Sequence, residues 1–267
     1  ASFDENGFTL SQAGSDENTS NISYVTWCWK AGGAAVSNTD GSITTQVSVN
    51  QTAGFSIVSY TGTGASATVG HGLSSEPEFV IIKDRDVAYN WVTYHKVYTN
   101  SQYIQKLNLT DEEQNAGGNY ALTRGSSTLG ILTGAAINTS SSRYISYCWH
   151  SVEGFSKFGS YIGNASTDGP FVYCGFKPAW VMIKASSGTT NGWVIMDNAR
   201  SPSNPNGETI FTNNSNAEYT DINNRQIDFL SNGFKLRNGS GSERNANGAT
   251  YIFAAFAESP FQTANAK

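Results

Sequence analysis

Charge is scarce in this sequence. Only 14 % of its 267 residues are Asp, Glu, Lys or Arg, and the 16 basic ones are scattered under a net charge of -5. A duplex-binding surface needs clustered Lys and Arg to neutralise phosphates, so nucleic acid is not expected as a partner. No run approaches the roughly 20 apolar residues that span a bilayer, so no membrane insertion is expected. The opening Ala1-Ser2-Phe3-Asp4-Glu5 lacks the basic and apolar regions of a signal peptide. Cysteine is nearly absent as well: Cys28, Cys148 and Cys174 cannot all pair, and free, packed thiols are expected rather than a disulfide or a metal site. Nucleophile elbow, Walker loop and dinucleotide fingerprint are missing in any strand-turn-helix context. Helical patterning is equally thin. Only residues 103–114 have helical composition, and they are expected to form a loop or one short turn.

What is present is aromatic and turn-forming. Aromatics make up 12 % of the chain, with 27 glycines, 13 tyrosines and 14 phenylalanines, the composition of an extracellular or virion β-protein. One stretch is written three times: Tyr144-Ile145-Ser146-Tyr147-Cys148-Trp149, Tyr24-Val25-Thr26-Trp27-Cys28-Trp29 and Tyr251-Ile252-Phe253-Ala254-Ala255-Phe256. Dense β-branched and aromatic residues behind Asn/Ser/Gly-rich turns predict a strand buried on both faces. The Cys28, Cys148 and Ala255 position then calls for a small buried group.

The repetition extends beyond that strand. Gly54-Phe55-Ser56 and Gly154-Phe155-Ser156 each open a unit, giving a period of 100 residues, the size of one sandwich domain. Glu76-Pro77-Glu78-Phe79-Val80-Ile81-Ile82-Lys83 matches Lys177-Pro178-Ala179-Trp180-Val181-Met182-Ile183-Lys184, and Asn90-Trp91-Val92 matches Gly192-Trp193-Val194. Near the start, Phe3-Asp4-Glu5-Asn6-Gly7-Phe8-Thr9-Leu10 matches Phe229-Leu230-Ser231-Asn232-Gly233-Phe234-Lys235-Leu236, with Asn-Gly as the hairpin signal in both. The expected fold is all-β: tandem antiparallel β-sandwich units, jelly-roll-like, with an incomplete N-terminal unit. Residues 1–53 would be the closing hairpin of a preceding unit plus a linker, 54–153 the first sandwich and 154–267 the second. The alternating residues 42–49 predict a half-exposed strand on the linker.

Candidate site residues are few. Trp27, Cys28, Trp29, Trp91, Cys148, Trp149, Trp180 and Trp193 recur at repeat positions and are expected in the core, because a duplicated fold must refill the same hole. Tyr89, Tyr98, Tyr103 and Tyr120 fall in the variable middle of the first unit and are candidate surface aromatics for stacking on a sugar. The histidines His71, His95 and His150 lack ligand spacing and align with non-ligands, so partly exposed structural histidines are expected. Asp168, Asp197, Glu153, Glu218, Asp228 and Glu258 could supply a glycosidase pair, yet no motif fixes a partner for any of them. The loops Asn38-Thr39-Asp40-Gly41 and Asn164-Ala165-Ser166-Thr167-Asp168-Gly169 offer oxygens for Ca²⁺, and turn formation explains them more simply. No catalytic, cofactor or metal residue is expected.

The phrases Gly154-Phe155-Ser156-Lys157-Phe158-Gly159-Ser160-Tyr161, Asp168-Gly169-Pro170-Phe171-Val172-Tyr173, Gly175-Phe176-Lys177-Pro178-Ala179-Trp180, Ile227-Asp228-Phe229-Leu230-Ser231-Asn232-Gly233-Phe234 and Ala254-Ala255-Phe256-Ala257-Glu258-Ser259-Pro260-Phe261 resemble an uncharacterised repeat domain of tailed-bacteriophage virion proteins, notably from marine and cyanobacterial phages. That resemblance implies a non-enzymatic structural protein at the surface of an extracellular particle, in a tail fibre or receptor-binding appendage. A capsid decoration protein (head fibre or cement) and a lectin-like carbohydrate-binding module are the alternatives. It also implies self-association, as a homo-oligomer such as a trimer, contact with other virion proteins, and a host surface glycan as a possible ligand.

Overall fold

A computed structural model describes residues 2–4, 7–10, 17–220, 225–237, 239 and 244–259. Asn6 of the first hairpin and Phe261 of the closing phrase lie outside them. The chain divides into two compact units, 1–30 and 31–267. In the first, strands β1 (Ser2–Asp4) and β2 (Gly7–Thr9) pair antiparallel.

The second unit is built of short strands. In chain order they are β3 (Val36–Asn38), β4 (Thr45–Asn50), β5 (Phe55–Thr61), β6 (Ala67–Gly70), β7 (Phe79–Asp84), β8 (Val92–His95), β9 (Tyr103–Lys106), β10 (Gln114–Asn115), β11 (Leu122–Arg124), β12 (Thr128–Ile131) and β13 (Arg143–Trp149). Then come β14 (Ser156–Ile162), β15 (Phe171–Tyr173), β16 (Pro178–Ser187), β17 (Val194–Asp197), β18 (Ile210–Phe211), β19 (Ile227–Leu230), β20 (Gly233–Leu236) and β21 (Thr250–Ala257). Among the described residues helix is limited to α1 (Ala135–Asn138) and a 3₁₀ turn at Gly118–Tyr120. None of the described helices is long and apolar enough to cross a membrane. The fold is all-β with several antiparallel sheets.

The described residues of this body form two large and two small sheets. One large sheet runs β10-β9-β8-β7-β13-β5-β4-β3 and the other β14-β21-β16-β17-β18; the small ones run β11-β12-β6 and β15-β20-β19. Strand for strand, β8-β7-β13-β5 corresponds to β17-β16-β21-β14, and β6-β12-β11 to β15-β20-β19. Each small sheet shares an apolar core with one large sheet. Val58, Tyr60, Val80, Ile82, Tyr144 and Cys148 meet Val69, Leu122, Leu129 and Ile131 in the first, and Val181, Ile183, Tyr251 and Phe253 meet Val172, Ile227, Phe229, Phe234 and Leu236 in the second. Period-two alternation places those residues on one face of each strand.

The opposite faces of the two large sheets pack on each other. Phe79 lies 5.9 Å from Phe158 and 6.2 Å from Trp193, centroid to centroid. His95, Met182, Ile252 and Ala254 close the same contact, which holds no space for water. This second burial explains why β8 and β17 are buried at every position and β7 and β16 at nearly every one.

Several expectations need correction. The stretch 24–29 lies outside any strand; Cys28 is exposed, and Trp27 and Trp29 are half-buried. Its counterparts β13 and β21 are central strands hydrogen-bonded on both sides, whereas the described part of unit 1–30 holds only the β1–β2 hairpin. Residues 103–114 are not a loop or single turn throughout, because β9 pairs with β8 and prolongs the first large sheet. Trp91 is 37 % exposed where Trp193 is 1 %. The two large sheets meet asymmetrically, so the groups that cover Trp193 have no counterpart over Trp91. Cys148, Trp149, Trp180 and Trp193 are buried.

Candidate functional site

The seam between the two large sheets carries a cluster of buried polar groups. At its edge, β9 and the segment after it meet β16 and the segments around β17 and β18. Gln105 Nε2 donates to the Ala185 carbonyl at 2.7 Å, Trp193 Nε1 to the Lys106 carbonyl at 3.0 Å, and the Glu113 amide to the Ser186 carbonyl at 2.8 Å. Lys184 is 1 % exposed and its Nζ donates to the Thr110 and Ala185 carbonyls at 3.1 and 3.0 Å. Burial pulls its pKa down to about 8. Such groups are tolerable in the interior because their bonds are made inside the protein.

Tyr98 belongs to this network, not to the surface. It is 8 % exposed, its hydroxyl donates to Gln105 Oε1 at 2.9 Å, and burial raises its pKa. Tyr103 and Tyr120 are half-buried. Tyr120 packs against the first core and its carbonyl accepts the Tyr94 hydroxyl at 2.8 Å. Tyr89 alone of the four is exposed, at 40 %, on the loop between β7 and β8. The four tyrosines therefore do not make one binding face.

A pocket opens where the seam reaches the surface. Thr110, Thr190, Asn191, Gly192, Asn213 and Asn214 line it, with Phe211 and Tyr219 behind, around a volume of about 230 Å³. No ionised group lines it. Arg225 lies over the Tyr219 ring at 4.5 Å. The Oδ1 of Asn213 is buried without a hydrogen-bond partner. Gly192 is required there, since a Cβ would stand 2.4 Å from that oxygen and 2.7 Å from Phe211. Hydroxyls, amides and aromatic edges around an unsatisfied acceptor suit a small neutral ligand rich in hydroxyl groups.

The remaining sequence candidates are engaged elsewhere. His71 and His95 are buried, contrary to the partly exposed histidines expected; only His150 keeps partial exposure. His71 Nδ1 accepts the Leu73 amide at 3.1 Å and its Nε2 meets the Gly125 carbonyl. Burial, with Lys96 beside it, lowers the His95 pKa to about 3 and keeps the ring neutral. Among the described residues no His, Cys, Asp and Glu groups assemble as metal ligands. The Asn38 carboxamide closes an Asx turn on Asp40. Asn164 closes the equivalent turn on Ser166, and Asp168 pairs with Lys235 at 2.8 Å.

Five of the six candidate carboxylates lie against cations: Asp197 and Glu218 on Arg200, Asp228 on Arg237, Asp168 on Lys235 and Glu258 on Lys177. Glu153 is exposed. Burial pushes the Cys148 and Cys174 thiols up to about 12, which leaves them protonated and unreactive near neutrality.

Two residues not singled out in the sequence prove central. Asn138 and Asn245 are fully buried, each six positions before the tyrosine that begins a core-strand repeat. An Asn stands at that spacing in all three copies, with Asn18 in the first, and that regularity was the available signal.

The profile of a family described as "Domain of unknown function (DUF7483)" matches residues 1–260. The chain belongs to this family. No curated protein and no solved structure matches it. The family's description names no reaction or ligand, so the chemistry must be read from the seam and its pocket.

Proposed function

We propose that the chain is a non-enzymatic structural protein of a bacteriophage particle surface, from a tail fibre or receptor-binding appendage. In this reading it is made of tandem β-sandwich units of jelly-roll-like topology, joined by the seam into one stiff body. It associates with copies of itself and with other virion proteins. The observation that carries the reading is the matched strand order of the two halves, which supports one module used twice. The repeat phrases resembling virion proteins supply the particle context, and ionisable groups engaged in internal pairs fit a scaffold. Loop pockets such as the one beside Asn213 are the places for contact with a neutral host glycan.

Counting copies of the chain in purified particles by quantitative mass spectrometry tests this. On the order of tens of copies or fewer supports the tail appendage, and on the order of hundreds would place the chain on the capsid instead. Absence from the particle, or release of reducing ends from host polysaccharide by the purified protein, would overturn the proposal.

A further inference from the structure

Where β8 begins beside the end of β9, and β17 beside the end of β18, the two halves keep the same bonds and differ in one side chain. Val92 lies opposite Ile82 and Lys106, and Val194 lies opposite Ile183 and Phe211, so Trp91 answers to Trp193 and Lys106 to Phe211. The next backbone bond repeats as well. The Leu107 amide donates to the Trp91 carbonyl at 2.9 Å and the Thr212 amide to the Trp193 carbonyl at 3.3 Å. Asn108 and Asn213 therefore occupy one repeat position, and Asn90 and Gly192 another.

In the first half that asparagine is fully engaged. Asn108 Oδ1 accepts the Trp91 amide at 3.0 Å and its Nδ2 donates to Asn90 Oδ1 at 2.8 Å. In the second half Gly192 lacks the side chain that Asn90 supplies. Asn213 Oδ1 is left buried with no donor, and the vacated space belongs to the pocket of about 230 Å³. A buried acceptor without a donor is costly, and a ligand that supplies the donor removes that penalty.

The other walls are fixed in advance. Phe211 and Tyr219 meet edge to face at 5.3 Å, and Asn216 Nδ2 donates to the Tyr219 hydroxyl at 2.9 Å. Asn191 Nδ2 is held by the Thr189 hydroxyl at 3.1 Å, and Thr110 and Thr190 are exposed at the rim. An aromatic wall matches the C–H face of a sugar ring, and amides and hydroxyls match its O–H groups. Among the described residues no Lys or Arg lines the pocket, so a carboxylate or sulfate would enter without a counter-charge. The volume falls below the roughly 300–1,000 Å³ of sites for drug-sized ligands and suits a single ring.

We propose that the second half alone binds sugar, taking one terminal neutral hexopyranose ring, with Gly192 opening the site and Asn213 as its buried acceptor. The unheld Asn213 amide turns toward the cavity and accepts a ring hydroxyl. The duplicated fold thus carries one site per chain, because Asn90 fills the other. This rests on the neutral-glycan contact proposed above and is independent of the particle assignment.

The test adds methyl glycosides of glucose, galactose, mannose and N-acetylglucosamine to the full chain, with glucuronate as the charged control, and reads binding by saturation-transfer NMR. At least one neutral glycoside is expected to bind, and glucuronate about 10-fold more weakly or not at all. Gly192→Asn, which installs the first half's residue, and Asn213→Ala should each weaken binding about 10-fold or more, the loss of one buried hydrogen bond. Asn108→Ala should leave it unchanged. Circular dichroism checks that each variant is folded, and Asn213→Ala carries the test if Gly192→Asn is not. Binding that survives the pocket substitutions, or falls equally in Asn108→Ala, overturns this site while leaving a glycan contact elsewhere. Failure of every neutral glycoside to bind overturns both.

Discussion

Gln105 joins the two halves of the body: its Nε2 donates to the Ala185 carbonyl at 2.7 Å. The same side chain donates to the Asp111 carbonyl and accepts the Tyr98 hydroxyl, so one amide closes three bonds at a buried seam. The aromatic contacts of Phe79, Phe158 and Trp193 supply area. The Gln105 amide supplies register, because a buried amide is satisfied in one relative placement of the sheets.

Replacing Gln105 with Ala strips partners from the Tyr98 hydroxyl and the Asp111 and Ala185 carbonyls. A loss of about 2–4 kcal/mol in urea unfolding is expected, from three buried hydrogen bonds at about 1 kcal/mol each; the Ala185 carbonyl keeps Lys184 Nζ and the Tyr98 hydroxyl keeps Thr93. Tyr89→Ala, at an exposed loop position, should stay within about 0.5 kcal/mol of the parent. Equal effects of the two substitutions would contradict a seam built on Gln105.

Lys184 predicts a rise in stability on the alkaline side. Its folded pKa is lowered from 10.5 to about 8, so between those values the unfolded chain holds the proton that the folded chain has lost. Stability from this group therefore increases as pH climbs through 8 toward 10.5, by about 1 kcal/mol between pH 7 and 9. Lys184→Met should remove that rise, read as the difference between the two proteins' urea midpoints at the two pH values. Parallel pH curves would show that the ammonium is not buried.

His95 predicts the acid side. The unfolded ring takes a proton below its usual 6.5 and the folded ring only near 3, so stability falls as pH drops through that window. A loss of about 2 kcal/mol between pH 7 and 5 is expected from this group alone. His95→Phe should flatten the decline over that interval, and an unchanged slope would contradict the assignment.

The two buried asparagines, Asn138 and Asn245, give a matched pair of tests within one chain. Asn138→Ala and Asn245→Ala each remove three or more buried hydrogen bonds and should cost about 3 kcal/mol apiece. Thermal or urea unfolding of the two variants decides it, and a loss under about 1 kcal/mol in either would contradict the buried bonds.

Much of this was legible beforehand, for physical reasons. Strand identity follows from β-branched and aromatic density, and the repeated phrases placed β5 with β14, β7 with β16 and β13 with β21. Contacts between the halves were not legible. Trp91 and Trp193 occupy one repeat position, yet only Trp193 meets the other sheet, and no local pattern encodes which copy is covered. His95 read as a surface group because its burial comes from a sheet more than eighty residues away along the chain, and Tyr98 because its partners Thr93 and Gln105 are brought together only when β8 pairs with β9. The stretch 24–29 failed in the opposite sense: its pattern states what a central strand needs, and strand neighbours decide whether it forms one.

Native-state hydrogen exchange on the three copies of the core strand tests the repeat account most directly. Amides of 144–149 and 251–256 are predicted to exchange only through global unfolding, while those of 24–29 exchange orders of magnitude faster in the same molecule. Slow exchange in all three stretches, or rapid exchange in β13 or β21, would contradict it.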